Sequence, residues 1–132
     1  MFEVKVTENM FIAHSLNDDL FGPAQNLHGA TYIIDLVISS KNLTSKNIVI
    51  DIDLASKLLK ECISQYNYKN LDDISEFQDI LTTTEFMAKK LTEDFTRKLE
   101  EINFDIKTLH SIKMTLNESH IASASYLTLL NE

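Results

Sequence analysis

The apolar spacing along this 132-residue chain changes twice, and those changes fix the order of its elements. Phe2, Val4 and Val6 alternate with Glu3, Lys5 and Thr7, the period of two that belongs to a half-buried strand. The alternation lapses at Met10-Phe11-Ile12-Ala13, which predicts a bulge or a fully buried section before the strand closes at His14. A turn-rich loop covers residues 15–27. The apolar run Tyr32-Ile33-Ile34-Asp35-Leu36-Val37-Ile38, entered through Gly29, then predicts a second strand over about 31–39. After the polar connection 40–47 the period lengthens. Leu54, Leu58, Cys62 and Tyr66 recur every four residues, widened by Ala55, Leu59 and Ile63, on a helix that Asp51 or Asp53 can cap. A second helix starts at Thr82-Thr83-Thr84-Glu85, which reads as a capping box, and carries Met87, Leu91, Phe95 and Leu99. The period of two returns at Ile112, Met114 and Leu116, and a last strand follows over 121–129. Two strands, two helices and two strands predict an α+β domain: a four-stranded antiparallel sheet with both helices on one face.

Composition narrows the function classes. With 44% hydrophobic residues, one Pro and two Gly, residues 1–132 read as a single domain with its own core. The net charge of −8, with 12 basic residues scattered among 20 acidic ones, argues against nucleic acid as a partner. No apolar run reaches a membrane span, and the first residues lack the apolar core of a signal peptide. A lone cysteine, Cys62, makes no intrachain disulfide and fits a reducing compartment, so a cytoplasmic setting is expected. Its place on the helical stripe predicts a buried structural thiol rather than a nucleophile.

The candidate chemistry gathers around two histidines, His14 in Ala13-His14-Ser15-Leu16 and His28 in Leu27-His28-Gly29-Ala30. In a strand, residues 28 and 30 face the same side, so those positions plus one residue of a neighbouring strand can form a metal site. Position 30 is alanine. Spacing alone is weak evidence for a ligand pair. Asp72 and Asp73 are either a general base with its neighbour or a solvated turn. By themselves Thr83, Thr84 and Glu85 read as an ordinary capping box, and Glu118 as a surface turn glutamate. Of the remaining histidines, His110 and His120, the second lies two residues after Glu118 and either points into the same site or is an exposed turn histidine.

Taken in order, these pieces resemble the family of 6-pyruvoyltetrahydropterin synthase and its relative 6-carboxytetrahydropterin synthase. The resemblance rests on Ala13-His14-Ser15-Leu16, Leu27-His28-Gly29-Ala30-Thr31-Tyr32, Val49-Ile50-Asp51-Ile52, Leu71-Asp72-Asp73, Thr83-Thr84-Glu85 and Asn117-Glu118-Ser119, with Tyr126 in the last strand. It implies the small α+β T-fold, assembled as a homo-oligomer, by family habit a hexamer of two stacked trimers with sites between subunits. It implies a reduced pterin such as 7,8-dihydroneopterin triphosphate as ligand, and carbon–oxygen lyase chemistry on its side chain. Three histidines hold zinc in that family; His14 and His28 match two of them, and Ala30 stands at the third. A two-histidine site binds zinc weakly unless Asp18 or Asp19 completes it. The family's cysteine base falls at Ala24, and its Asp-His pair becomes Asp72-Asp73, leaving Asp73 to stand in for proton transfer. Glu118 matches the glutamate that accepts from the ring's N–H groups, and Thr83, Thr84 and Glu85 match its polar neighbours. Two readings stay open: a divergent homologue with weak or altered lyase activity, or a catalytically silent module that binds a pterin or assembles with partners.

Overall fold

In the computed structural model, which describes residues 1–131, β1 (Phe2–His14) and β2 (His28–Ser40) pair antiparallel from Phe2 opposite Ser40 to His14 opposite His28. The register never skips a residue, so the bulge anticipated at Met10–Ala13 is absent. Met10, Ile12 and His14 all face the core while Phe11 and Ala13 face the other side. Phe11 is covered there by Tyr68, the two rings stacked with centroids 5.3 Å apart. An apolar residue on the open face thus finds its own cover, and the strand keeps its pleat. Pairing to the tip also starts β2 at His28, before the apolar run begins.

The sheet order is β3-β1-β2-β4-β5, with β3 at Lys69–Asn70, β4 at Ser111–Asn117 and β5 at Ser123–Leu129. The four long strands are antiparallel neighbours, as expected. The two-residue β3 is an addition: it runs parallel to Ile12 and Ala13, making the sheet five-stranded and mixed. Tyr68 enters it with φ of 61°, its N–H donating to the Phe11 carbonyl at 2.6 Å. Two isolated residues carry no periodicity to read, which is why the sequence pattern is silent about them.

Helix α1 (Ile52–Ser64) is capped by Asp51, whose carboxylate accepts from the Asp53 N–H at 3.0 Å. Helix α2 (Thr84–Glu101) is capped by Thr83, which accepts from the Phe86 N–H at 3.1 Å. The capping box therefore fails by one residue: Thr82 is buried and engaged elsewhere, and among the described residues Glu85 makes no return bond. Both helices cover one face of the sheet, where Leu58, Leu59, Met87, Leu91 and Phe95 meet Met10, Ile34, Leu36 and Met114 in a single core. Between the helices, the carboxylate of Asp94, 1% exposed, accepts from the Tyr66 hydroxyl at 2.5 Å and pairs with Arg97 and Lys90. Burial and that neighbouring carboxylate push the Cys62 thiol up to about 12, the value of an inert core residue. No helix among the described residues is long and apolar enough to cross a membrane.

Candidate functional site

The site begins where β1 ends and β2 starts, because the register sets His14 directly opposite His28. Their rings stand edge to face with centroids 4.7 Å apart. His14 is 3% exposed and its Nδ1 lies 3.0 Å from Thr82 Oγ1, in the segment leading into α2. His28 donates from Nδ1 to the Asn26 carbonyl at 2.8 Å, which leaves its Nε2 as the open ring position. Burial, and secondly the second imidazole, lower the pKa of His14; the bond to Thr82 and the charges of Asp72 and Glu118 act the other way. His14 is therefore a neutral ring near pH 7, and Glu118 and Asp72 sit close enough to be felt by it.

Ala30 shares the inward face of β2 with His28 and contributes only a methyl group there. Neither loop aspartate fills the gap. Asp18 caps the 3-10 turn Asp19–Gln25 by accepting from the Leu20 N–H at 2.9 Å, and Asp19 is exposed in that turn's first residues. Ala24 lies in the same turn, its carbonyl accepting from the Leu16 N–H at 3.0 Å. Among the described residues no three His, Cys, Asp or Glu side chains converge as a metal-binding group. A catalytic zinc takes three protein ligands and one open position. This chain brings two imidazoles together at the site.

Asp72 is committed to structure. It accepts from the Ser15 N–H at 3.0 Å and from the Ser15 hydroxyl at 2.5 Å, clasping the 3-10 turn Leu71–Asp73 to the end of β1. Its neighbour Asp73 points out of that turn and is exposed. The pair lies near the histidines, but with one carboxylate occupied and the other in solvent.

The remaining candidates come together. Thr84 and Glu85 from the first turn of α2, and Glu118 from the turn joining β4 to β5, line one cleft of about 400 Å³ with Ser123 and Ser125. Thr83, the residue before Thr84, is spent as the helix cap. Tyr32, on the inward face of β2, reaches toward the same place: burial raises its hydroxyl pKa, a hydrogen bond with Thr84 lowers it, and the nearby Glu118 and Glu85 raise it. Thr82, Tyr32 and Ser15 are the functional neighbours that sequence reasoning passed over. Tyr32 carried a signal, since it closes the Leu27–Tyr32 motif, whereas Thr82 hid in a run of three threonines. His120 lies in the exposed turn after β4. His110 lies at the far end of the sheet, at the start of β4.

Comparison with known proteins agrees with this architecture. The family model described as 6-pyruvoyl tetrahydropterin synthase matches residues 3–128. A 6-pyruvoyl tetrahydrobiopterin synthase of Dictyostelium discoideum is 25% identical over 97 residues, covering 72% of each chain. Among solved structures, the 6-pyruvoyl tetrahydropterin synthase of Caenorhabditis elegans superposes with a TM-score of 0.79 at 20% identity, over 95% of this chain and 94% of that one. The enzyme of the same name from Plasmodium falciparum gives a TM-score of 0.81 at 14% identity, over 98% of both chains.

Proposed function

The chain belongs to the 6-pyruvoyl tetrahydropterin synthase family, and on that premise we propose that it binds a reduced pterin such as 7,8-dihydroneopterin triphosphate in the cleft between α2 and the β4–β5 turn. One observation carries the reading: Thr84 and Glu85 at the start of α2 and Glu118 beyond β4 share one cleft beside Tyr32 and His14. The Glu118 carboxylate offers two acceptor oxygens to adjacent N–H donors on the ring, a charge-assisted pairing. Thr83, Thr84 and Glu85 hold its edge with hydroxyl and carboxylate groups. His14 and His28 flank the ligand's side chain as imidazoles held by Thr82 and the Asn26 carbonyl.

Any lyase activity is weak or altered in this reading. Elimination needs a proton taken and a proton returned, and the groups on hand are His14, held neutral by burial, and the exposed Asp73. Zinc is bound weakly if at all, because Ala30 supplies no third donor. The chain acts as one cytoplasmic domain that assembles as a homo-oligomer, a hexamer by family habit. The open sheet face supports that assembly, with Ile33, Leu127 and Leu129 about half exposed on it.

The second reading, a catalytically silent pterin-binding or assembly module, is favoured by one specific arrangement: Asp72 is spent on Ser15 and position 24 carries no ionisable group. Titrating the purified protein with neopterin, followed by the ring's own fluorescence, tests the shared premise. Saturable binding is expected, weakened about tenfold by Glu118→Gln, at the low end for a hydrogen bond to a charged group because the site is open to water. No binding of any pterin by the native chain would refute both readings. Turnover of dihydroneopterin triphosphate, sought by product analysis in the same preparation, separates the divergent lyase from the silent module.

A further inference from the structure

A second polar cavity lies at the end of the sheet remote from the histidine pair. It encloses about 270 Å³ where Lys41 and Thr44 of the loop after β2 meet Lys107, His110 and Asn131. The thirteen residues of β2 separate this end from His28 by about 40 Å at the usual rise per residue. It is therefore distinct from the pterin cleft of the same chain.

Its chemistry runs against that of the molecule. The chain carries a net charge of −8, yet Lys41 and Lys107 enter no ion pair among the described residues. The acid nearest Lys107 in sequence, Asp105, is used to cap the Lys107 N–H at 3.2 Å. His110 is anchored through its backbone, donating to the Ser39 carbonyl at 2.8 Å and accepting from the Leu130 N–H at 2.9 Å. Its Nδ1 is buried and has no hydrogen-bond partner among the described residues. The ring lines the cavity, where an imidazole nitrogen can donate to an anion. Asn131 braces the wall, its amide donating to the Ile106 and Leu109 carbonyls at 2.9 and 2.8 Å.

We propose that this cavity binds the phosphate group of a small molecule through Lys41, Lys107 and His110. Two ammonium groups act as point charges on flexible stems and suit a tetrahedral oxyanion. The only arginine, Arg97, is paired with Asp94 on α2, so the cations this cavity offers are the two lysines. The volume admits a phosphate with a short organic substituent.

The test is calorimetric titration of the full chain at constant ionic strength with inorganic phosphate, glycerol phosphate and acetate. Expected is saturable binding of one or both phosphates, weakened at least tenfold in the double variant Lys41→Ala/Lys107→Ala. Lys89→Ala, an exposed lysine on α2, should leave it unchanged. Both cavity lysines are exposed, so their replacement leaves the core intact. The His110 ring resonances should move on addition of phosphate, and that movement should vanish in the double variant. Tighter binding of glycerol phosphate marks a phosphate monoester as the ligand, and tighter binding of inorganic phosphate marks the free ion. Absence of saturable binding, equal affinity in the double variant, or acetate binding as well as phosphate overturns the proposal.

Discussion

Replacing Ala30 by His should create a third metal ligand beside His14 and His28. The strand geometry makes the substitution specific: position 30 shares the inward face with His28, and His28 faces His14 across the ladder. A side chain at 30 therefore points to the side where both imidazoles already lie. The effect can be read as a zinc-dependent gain in stability. Free zinc at one hundred times its dissociation constant stabilises the native state by about 2.7 kcal/mol. Unfolding entropy of about 2.1 cal/mol/K per residue gives a 132-residue chain about 0.28 kcal/mol/K, so that gain raises Tm by about 10 °C. In its metal-free form the variant should melt below the native protein, since Ala30 packs against the core and an imidazole does not match its volume. Scanning calorimetry of chelator-treated protein, with and without micromolar zinc, measures both effects. Adding His14→Ala to Ala30→His should abolish the zinc-dependent part. If zinc shifts Ala30→His no further than the native protein, position 30 is not the missing ligand and the alignment of the two histidines with the family is wrong.

Three further outcomes follow from the structure. Asp94→Ala leaves the Tyr66 hydroxyl without its acceptor in a site 1% exposed, while Lys90 keeps Glu76 at 3.1 Å, and should cost about 1–3 kcal/mol in urea denaturation; Tyr66→Phe, which leaves Asp94 its two cations, should cost about 1 kcal/mol. Cys62, with its thiol pushed up to about 12 and no exposed surface, should not react with a thiol reagent at pH 8 in the native protein; rapid labelling would mean that α1 opens. Because burial lowers the pKa of His14, the unfolded chain takes up its proton first as pH falls. Stability should thus be complete above the ordinary value of 6.5 and decline below it, and His14→Gln should flatten that decline in denaturation midpoints taken between pH 7 and 5. An unchanged slope would remove His14 as its source.

What could be read from the sequence was whatever repeats. The alternation of Phe2, Val4 and Val6 and the four-residue stripe from Leu54 to Tyr66 each report burial on one face, and strand and helix follow from the period alone. The order of elements and the single helical layer held because both depend only on those faces. What escaped was each case in which one side chain meets another far away in sequence. Phe11 looked like a break in the pattern because its cover, Tyr68, lies fifty-seven residues on. Asp72 looked available as a base because nothing nearby in sequence marks Ser15 as its partner. Of the three threonines at the start of α2 the sequence does not single out the cap; it is Thr83, because Thr82 is drawn to His14, a contact that joins residues sixty-eight apart.

That last contact bears on how the site evolved its present form. Thr82 and the Asn26 carbonyl hold two imidazoles in fixed orientations, and the carboxylates of Asp72 and Glu118 surround them. Such orientation is costly to maintain, since it buries a histidine and spends a helix-start threonine on it. A chain that had lost all use for these groups would be free to replace His14 with an apolar residue and gain core stability. Here the histidine pair and its support are intact while Ala30 and Ala24 carry no donor. In the proposed pterin reading the two imidazoles act directly on the ligand, as hydrogen-bonding groups against its side chain. On that view, His14→Ala and His28→Ala should each weaken neopterin binding in metal-free protein, by about 1–2 kcal/mol for a lost hydrogen bond to the ligand. Fluorescence titration in the presence of a chelator measures it, and binding unchanged in both variants would reduce the pair to a structural remnant.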